Sequence, residues 1–131
     1  MFTMAFVCEK KITEKRRVGN LGEELACRYL EKHGYKVVDR NFAAKIGEID
    51  IIAENTAERV FSFIEVKSRN SLEFGLPCQA VSAAKQGRIR RTAELYLKTH
   101  KISKNFSISF DIIEILRMDG ETFIRQLKNC F

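Results

Sequence analysis

Residues 47–67, GEIDIIAENTAERVFSFIEVK, decide the fold that this chain is predicted to adopt. Apolar residues alternate at Ile49, Ile51 and Ala53, which is typical of a β-strand. Residues 60–66 are apolar on both faces of a second strand, which indicates a central strand covered on both sides. The polar residues 54–58 separate the two runs, so we expect antiparallel neighbours joined by a hairpin loop.

Charged side chains lie towards one end of this predicted strand pair. Glu65 and Lys67 project from the same face of their strand, and Asp50 on the adjacent strand can lie beside them. Carboxylates supply hard oxygen ligands for hydrated Mg2+, and a lysine can orient a water molecule or offset developing charge. The arrangement therefore predicts metal-assisted phosphodiester hydrolysis. The alternative is a structural ion pair at a strand end.

Asp50, a gap of fourteen residues and then Glu65-Val66-Lys67 resemble the D…(D/E)xK core of the PD-(D/E)xK nuclease superfamily. The chain more particularly resembles the YraN family of small bacterial proteins, predicted endonucleases that are similar to archaeal Holliday junction resolvases. The matching residues span nearly the whole chain: Gly19, Gly22-Glu23, Ala26, Tyr29-Leu30, Gly34-Tyr35, Arg40-Asn41, Gly47-Glu48-Ile49-Asp50, Glu65-Val66-Lys67, Arg69, Phe74-Gly75, Lys85, Phe110-Asp111 and Asn129-Cys130-Phe131.

This resemblance implies an α/β, restriction-endonuclease-like fold, with a mixed central sheet flanked by helices in the order αβββαββ. It also implies metal-dependent cleavage of DNA. Asp50, Glu65 and Glu23 would hold Mg2+ or Mn2+, and Lys67 would orient the attacking water. Selectivity for branched DNA would suit a homodimer, because a four-way junction offers two related strands to two identical sites. The competing interpretation is a non-catalytic nucleic-acid-binding or assembly protein on a nuclease scaffold.

Composition sets wider limits. With 131 residues, 45% of them apolar, the chain is expected to form one domain, residues 1–131, in which about residues 1–16 are an N-terminal extension. A net charge of +6 favours a polyanionic partner such as DNA. Because neither a secretory signal nor a membrane span is recognisable, we expect a cytoplasmic protein without a membrane partner.

The four cysteines, at positions 8, 27, 78 and 130, are widely separated and lack zinc-ligand spacing. We therefore expect reduced thiols and no structural zinc.

Residues 18–33 are predicted to form the first helix, with Gly34 at its C-terminal cap. Glu24 falls four residues before Arg28, which suits a surface pair, whereas Glu23 shares its side of the helix with apolar residues. We therefore expect Glu23 to face inwards and to join the acidic cluster. A semi-exposed helix charge is the alternative.

Residues 35–39 are predicted to form the first strand, followed by a loop from which Lys45 can reach a phosphate. Glu48 lies two residues before Asp50 and therefore nominally on the same face. We expect Glu48 to lie in solvent, because the metal site already has three better-placed carboxylates. Arg69 falls in the turn-rich connection after Lys67, where substrate contacts are common.

The second helix is predicted to start at Pro77 and to run to about residue 99. Lys85 lies on its core-facing side and is expected to contact the site or the substrate. Arg88 and Arg91 are on exposed faces, where they either follow a DNA backbone or are simply solvated.

Residues 106–116 and 122–127 are predicted to be the last two strands, joined by a two-residue turn at Asp119-Gly120. Asp111 is expected to be structural, paired with a nearby base.

Overall fold

The computed structural model describes residues 14–70, 81–102 and 105–131, with side chains from residue 21 onwards. In chain order its elements are α1 (Glu14–Lys32), β1 (Lys36–Ala43), β2 (Glu48–Asn55), β3 (Val60–Arg69), α2 (Ala83–Thr99), β4 (Ser107–Met118) and β5 (Glu121–Leu127). The predicted mixed α/β class is confirmed. The predicted N-terminal extension overlaps the start of α1, and its remaining residues lie outside the described ranges.

The five strands form one sheet whose spatial order, β1-β2-β3-β4-β5, follows the chain. β3 pairs parallel with β4, and every other neighbouring pair is antiparallel. The parallel pair requires a long crossover, and α2 lies within that connection. The hairpin predicted between β2 and β3 is confirmed, with Ile51 opposite Ile64 in its register.

Each face of the sheet carries its own apolar cluster, which explains why β3 is apolar on both sides. On one face, α1 packs Leu25 and Leu30 against a group that includes Ile64. On the other face, α2 packs Tyr96 against a group that includes Phe63. Because neighbouring residues of a strand point to opposite faces, residues 63 and 64 divide between the clusters.

The ends of several elements follow the turn chemistry that the sequence predicts. Gly34, two residues beyond the end of α1, has a φ of +88°, and the N–H of Tyr35 donates to the carbonyl of Leu30 at 2.9 Å. Asp119 and Gly120 have φ values of 53° and 76°, the combination that a two-residue hairpin turn requires. Both predictions are confirmed.

Three element boundaries lie four or more residues from their predicted positions. α1 begins at Glu14 rather than at residue 18. α2 begins at Ala83 rather than Pro77, because the Ser82 side chain accepts a hydrogen bond from the N–H of Lys85 and caps the helix. Pro77 itself lies outside the described residues. β1 continues to Ala43 rather than ending at residue 39, because β1 stays paired with β2 as far as Ala43, which lies opposite Glu48.

Among the residues that the structure describes, Asp111 on β4 forms no ion pair with a base, unlike the prediction. It is fully buried and accepts hydrogen bonds from Ser109 Oγ, from Gln126 Nε2 at 2.8 Å and from the N–H of Asn129 at 3.0 Å. Neutral donors therefore replace the expected cation. The structural role predicted for Asp111 agrees with this location.

Cys27 is a free, buried thiol, whereas Cys130 is disulfide-bonded, so the expectation of reduced thiols is wrong for Cys130. Burial raises the pKa of the Cys27 thiol to about 11, which makes it unreactive at neutral pH. Within the ranges that the structure describes, neither helix is long and apolar enough to cross a membrane.

Candidate active site

A pocket of about 410 Å³ opens where the start of β2, the end of β3 and the first turns of α2 meet. Three of the four residues predicted to be catalytic line it, together with two of the predicted nucleic-acid contacts. The complete lining consists of Gly47, Glu48, Asp50, Glu65, Val66, Lys67, Lys85, Arg88 and Ile89.

The centre of the pocket is a pair of carboxyl groups from adjacent strands. Ile51 on β2 is paired with Ile64 on β3. Asp50 directly precedes Ile51 and Glu65 directly follows Ile64, so the two acids are neighbours across the antiparallel strands, and their side chains are hydrogen-bonded to each other. The N–H of Val66 also donates to Asp50 Oδ2 at 2.8 Å, which fixes that carboxyl group.

Burial, followed by the charge of Glu65, raises the pKa of Asp50 to about 8, although the Val66 N–H partly opposes this shift. At neutral pH Asp50 is therefore mostly protonated and donates to the Glu65 carboxylate. A site that forces two carboxyl groups to share a proton is one in which a bound cation would be favourable.

Two lysines neutralise this carboxyl pair from different elements. Lys67 Nζ on β3 lies 3.6 Å from Glu65 Oε2, and Lys85 Nζ on α2 contacts the same oxygen. Burial alone would lower the pKa of Lys85, but the hydrogen bond to Glu65 and its negative charge outweigh burial, so the net shift is upwards. Lys85 is therefore charged at neutral pH.

Gly47 explains how α2 can approach the start of β2 so closely. A Cβ atom at this position would lie 3.3 Å from Thr92 Oγ1 and 3.5 Å from Arg88 Cβ. The first of these distances is tighter than an ordinary contact, so a side chain at residue 47 would require the Thr92 side chain to shift by a few tenths of an ångström. The glycine that opens the GEID motif thus has a packing role that strand periodicity does not reveal.

Glu48 is exposed, as expected, but it also lines the pocket close to Asp50. The sequence signal for this position was present, because residues 48 and 50 share a strand face.

The structure does not bring Glu23 into a three-carboxylate site. No set of three His, Cys, Asp or Glu side chains in the described ranges is arranged to hold one metal ion. α1 packs on the face of the sheet opposite α2, and Glu23 does not line the pocket, so its part in the predicted cluster with Asp50 and Glu65 stays a prediction.

Glu23 nevertheless influences the site electrostatically. Burial raises its pKa, a hydrogen bond with Asn41 and the charge of Arg40 oppose the shift, and the charges of Glu48 and Glu65 add to it. Arg40 Nη2 lies 3.9 Å from Glu23 Oε1. Glu23 therefore lies near the edge of the acidic region without lining the pocket.

The predicted nucleic-acid contacts are divided among three environments. Lys85 and Arg88 line the pocket, whereas Lys45 is exposed in the tight turn between β1 and β2. Arg91 is exposed on α2. Arg69 lies outside the pocket lining and forms an ion pair with the buried Glu114.

The fold and the pocket together define a mixed α/β protein with a buried carboxyl pair and two lysines at one end of its central strands. The chain belongs to the uncharacterised protein family UPF0102, the YraN family, which matches residues 22–115. The family resemblance predicted from the sequence is thereby confirmed.

Family members that are 42–47% identical to this chain match it over nearly its whole length. A UPF0102 protein from Caldicellulosiruptor saccharolyticus is 42% identical over 119 residues, which are 89% of this chain and 98% of the relative. One from Clostridium perfringens is 47% identical over 118 residues, covering 88% and 94% of the two chains. One from Syntrophomonas wolfei is 43% identical over 118 residues, covering 88% and 98%.

Proposed function

We propose that this protein is a metal-dependent endonuclease that hydrolyses phosphodiester bonds in DNA, on a restriction-endonuclease-like fold. The observation that carries the proposal is the hydrogen-bonded pair of Asp50 and Glu65, flanked by Lys67 and Lys85 in one open pocket. A buried carboxyl group in a cleft whose pKa is raised by burial and by a neighbouring carboxylate, as that of Asp50 is, is typical of a functional site.

The residues present fit Mg2+ or Mn2+. Mg2+ commonly binds through one or two carboxylates and keeps several waters, so a two-carboxylate pocket with room for solvent is sufficient. Asp50 and Glu65 would hold the ion. When bound, it would polarise the scissile phosphate and offset the charge that develops there.

The two lysines would then have separate tasks. Lys67 is on the same strand face as Glu65, so its ammonium can hold the attacking water or a phosphate oxygen close to the carboxyl pair. Lys85 comes from α2 and is partly exposed, so it can turn from Glu65 towards a phosphate. Both ammonium groups would stabilise negative charge in the transition state.

DNA suits the charge of the molecule. The chain carries a net charge of +6, and Arg88 extends the pocket along α2 towards the exposed Arg91. Lys45 would contact phosphate from the β1–β2 turn. The YraN resemblance favours branched DNA and paired cleavage by a homodimer, and a DNA substrate accords with a cytoplasmic location.

The test is a cleavage panel of linear, flapped, nicked and four-way DNA, each incubated with Mg2+, with Mn2+ and without divalent metal. We expect metal-dependent cleavage of at least one substrate, lost in Asp50→Asn and retained in Glu58→Gln, which alters an exposed carboxylate elsewhere. Calorimetry of Mg2+ and Mn2+ binding to the same three proteins accompanies the panel.

Absence of both cleavage and Asp50-dependent metal binding would overturn the proposal. It would favour a non-catalytic DNA-binding or assembly protein. The ion pairs of Glu65 with Lys67 and Lys85 supply the observation for that second candidate, because they already neutralise Glu65 without a metal.

A further inference from the structure

The strand register extends the α2 face of the sheet beyond the pocket as far as β5. Lys67 on β3 is paired with Glu114 on β4, which is paired with Arg125 on β5. In the next row, Leu116 on β4 is paired with Phe123 on β5. Because directly paired residues point to the same face, Arg125 and Phe123 lie on the face that carries Glu65.

The buried carboxylate of Glu114 fixes the position of the Arg125 side chain. Its Nε donates to Glu114 Oε1 at 2.7 Å, and Arg69 forms an ion pair with the other carboxylate oxygen. Two guanidinium groups therefore share one buried carboxylate, which leaves one net positive charge. The Arg125 side chain is nevertheless 50% exposed, so a positioned cation is presented to solvent.

Phe123 lies beside it and is 52% exposed, more than any other large apolar side chain in the described ranges. Arg125 and Phe123 are separated by one residue on β5, so both project outwards from the same side of this strand. We refer to Lys67, Arg125 and Phe123 as the basic-aromatic strip. It begins in the pocket with Lys67 and crosses three strands over a distance of about 10 Å.

We propose that the basic-aromatic strip binds an unpaired segment of the DNA strand that leads away from the pocket. Phe123 would stack on a base, and Arg125 would contact a phosphate. This inference rests on the proposed function and defines its substrate class as DNA with a single-stranded or splayed portion.

The chemistry of the strip favours an unpaired strand over a duplex. An aromatic ring can stack only on a base whose face is free, whereas a duplex presents mainly phosphates to such a surface. A cation beside the ring suits the alternation of base and phosphate along one strand. Its continuity with the pocket through Lys67 would bring that strand directly to the carboxyl pair.

The experiment measures binding apart from cleavage. Fluorescence anisotropy without divalent metal compares a labelled single strand, its blunt duplex and a duplex with one single-stranded arm. Phe123→Ala should weaken binding of the single strand by about tenfold, the scale for losing one stacked base, and leave the blunt duplex unchanged. Phe123→Leu, which keeps an apolar side chain without a ring, should behave like Phe123→Ala.

Matched controls separate the strip from general effects. Ile108→Ala removes another exposed apolar side chain, 38% exposed near the opposite end of β4, and should bind like the wild type. Arg125→Ala should reduce the log-log salt slope for the single strand by about 0.7. Lys128→Ala, which removes an exposed cation paired with Glu58, should not. Thermal melting checks that each variant is folded.

Equal binding of the single strand by wild type and Phe123→Ala, or an equal loss on single strand and duplex, would overturn the inference. Phe123-dependent binding by a protein that cleaves no substrate would support the strip and reject the nuclease proposal. Metal-dependent cleavage without any effect of Phe123→Ala on binding would support the nuclease proposal and reject the basic-aromatic strip.

Discussion

Two sets of buried carboxyl groups lie in the same sheet, and their surroundings differ. Asp111 and Glu114 on β4 have their partners within the protein: hydrogen-bond donors surround Asp111, and two arginines form ion pairs with Glu114. Asp50 and Glu65 on β2 and β3 are bonded to each other and face a pocket. Residue type and burial alone would not distinguish the two sets.

The difference indicates how a structural carboxylate is separated from a functional one. A buried charge whose partners are all supplied by the protein has nothing left to bind. Asp50 is different, because burial and then the charge of the neighbouring Glu65 raise its pKa to about 8, and it lines an open pocket. The β2–β3 pair is therefore the one that a cation and a substrate can complete.

Asp50→Ala and Glu65→Ala should sharpen this comparison most. We expect cleavage to fall by about a thousandfold or more, because the residues that hold the metal are lost. The melting temperature of the metal-free variants should be unchanged or higher, since the cost of burying two neighbouring carboxyl groups, one of which must take up a proton, is relieved. If Asp50→Ala shows no cooperative thermal transition, Asp50 belongs with the structural carboxyl groups.

Glu114→Ala should show the opposite behaviour. Removing the only carboxylate that Arg69 and Arg125 share would leave Arg69, 16% exposed, without its partner, at a cost of about 3–5 kcal/mol of stability. Denaturant unfolding measures this loss. Glu58→Ala, from an exposed pair with Lys128, should cost less than about 1 kcal/mol. Similar losses in both variants would contradict the structural role of Glu114.

Lys67→Ala tests whether a cation beside the carboxyl pair serves chemistry or neutralisation. We expect Mg2+ affinity to be retained or increased, because a positive charge is removed, and the chemical step to slow by roughly a hundredfold. Calorimetry and single-turnover cleavage at saturating metal measure the two effects. Near-normal cleavage by folded Lys67→Ala protein would show that Lys67 only neutralises Glu65.

The pH dependence of stability should also distinguish the carboxyl pair. The pKa of Asp50 is raised from its ordinary value of 3.8 to about 8, so the folded metal-free protein binds more protons than the unfolded chain between these values. Its stability should therefore decrease as the pH rises from about 4 to about 8. Thermal melting across this range should show a shallower decrease for Asp50→Asn, and identical slopes would contradict the shared proton.

The smallest expected effect is on DNA binding, and it comes from arginines that form no ion pair among the described residues. In the described part of the chain, Arg88 and Arg91 form no ion pair, in contrast to Arg69 and Arg125. The double change Arg88→Ala and Arg91→Ala should weaken duplex binding and reduce its log-log salt slope by roughly two units, about 0.9 for each phosphate contact. An unchanged slope in an anisotropy titration would assign both arginines to a solvated helix face.

The sequence alone determined the local structure and part of the site. Apolar alternation located β2 and β3, and Gly34 and Asp119-Gly120 marked turns, because these signals depend on neighbouring residues and backbone angles. The same period of two placed Glu65 and Lys67 on one strand face, where the structure has them 3.6 Å apart. The family resemblance depended on motifs that are likewise continuous in sequence.

Tertiary structure alone decided which distant charges meet. The packing of α1 on the opposite face of the sheet leaves Glu23 outside the pocket lining, and α2 brings Lys85 to Glu65. The parallel pairing of β3 with β4 brings Arg69 within ion-pair distance of Glu114, and Arg69 does not line the pocket. A strand pattern specifies the face of each residue but not its partner, because register and helix placement depend on packing between segments far apart in the chain.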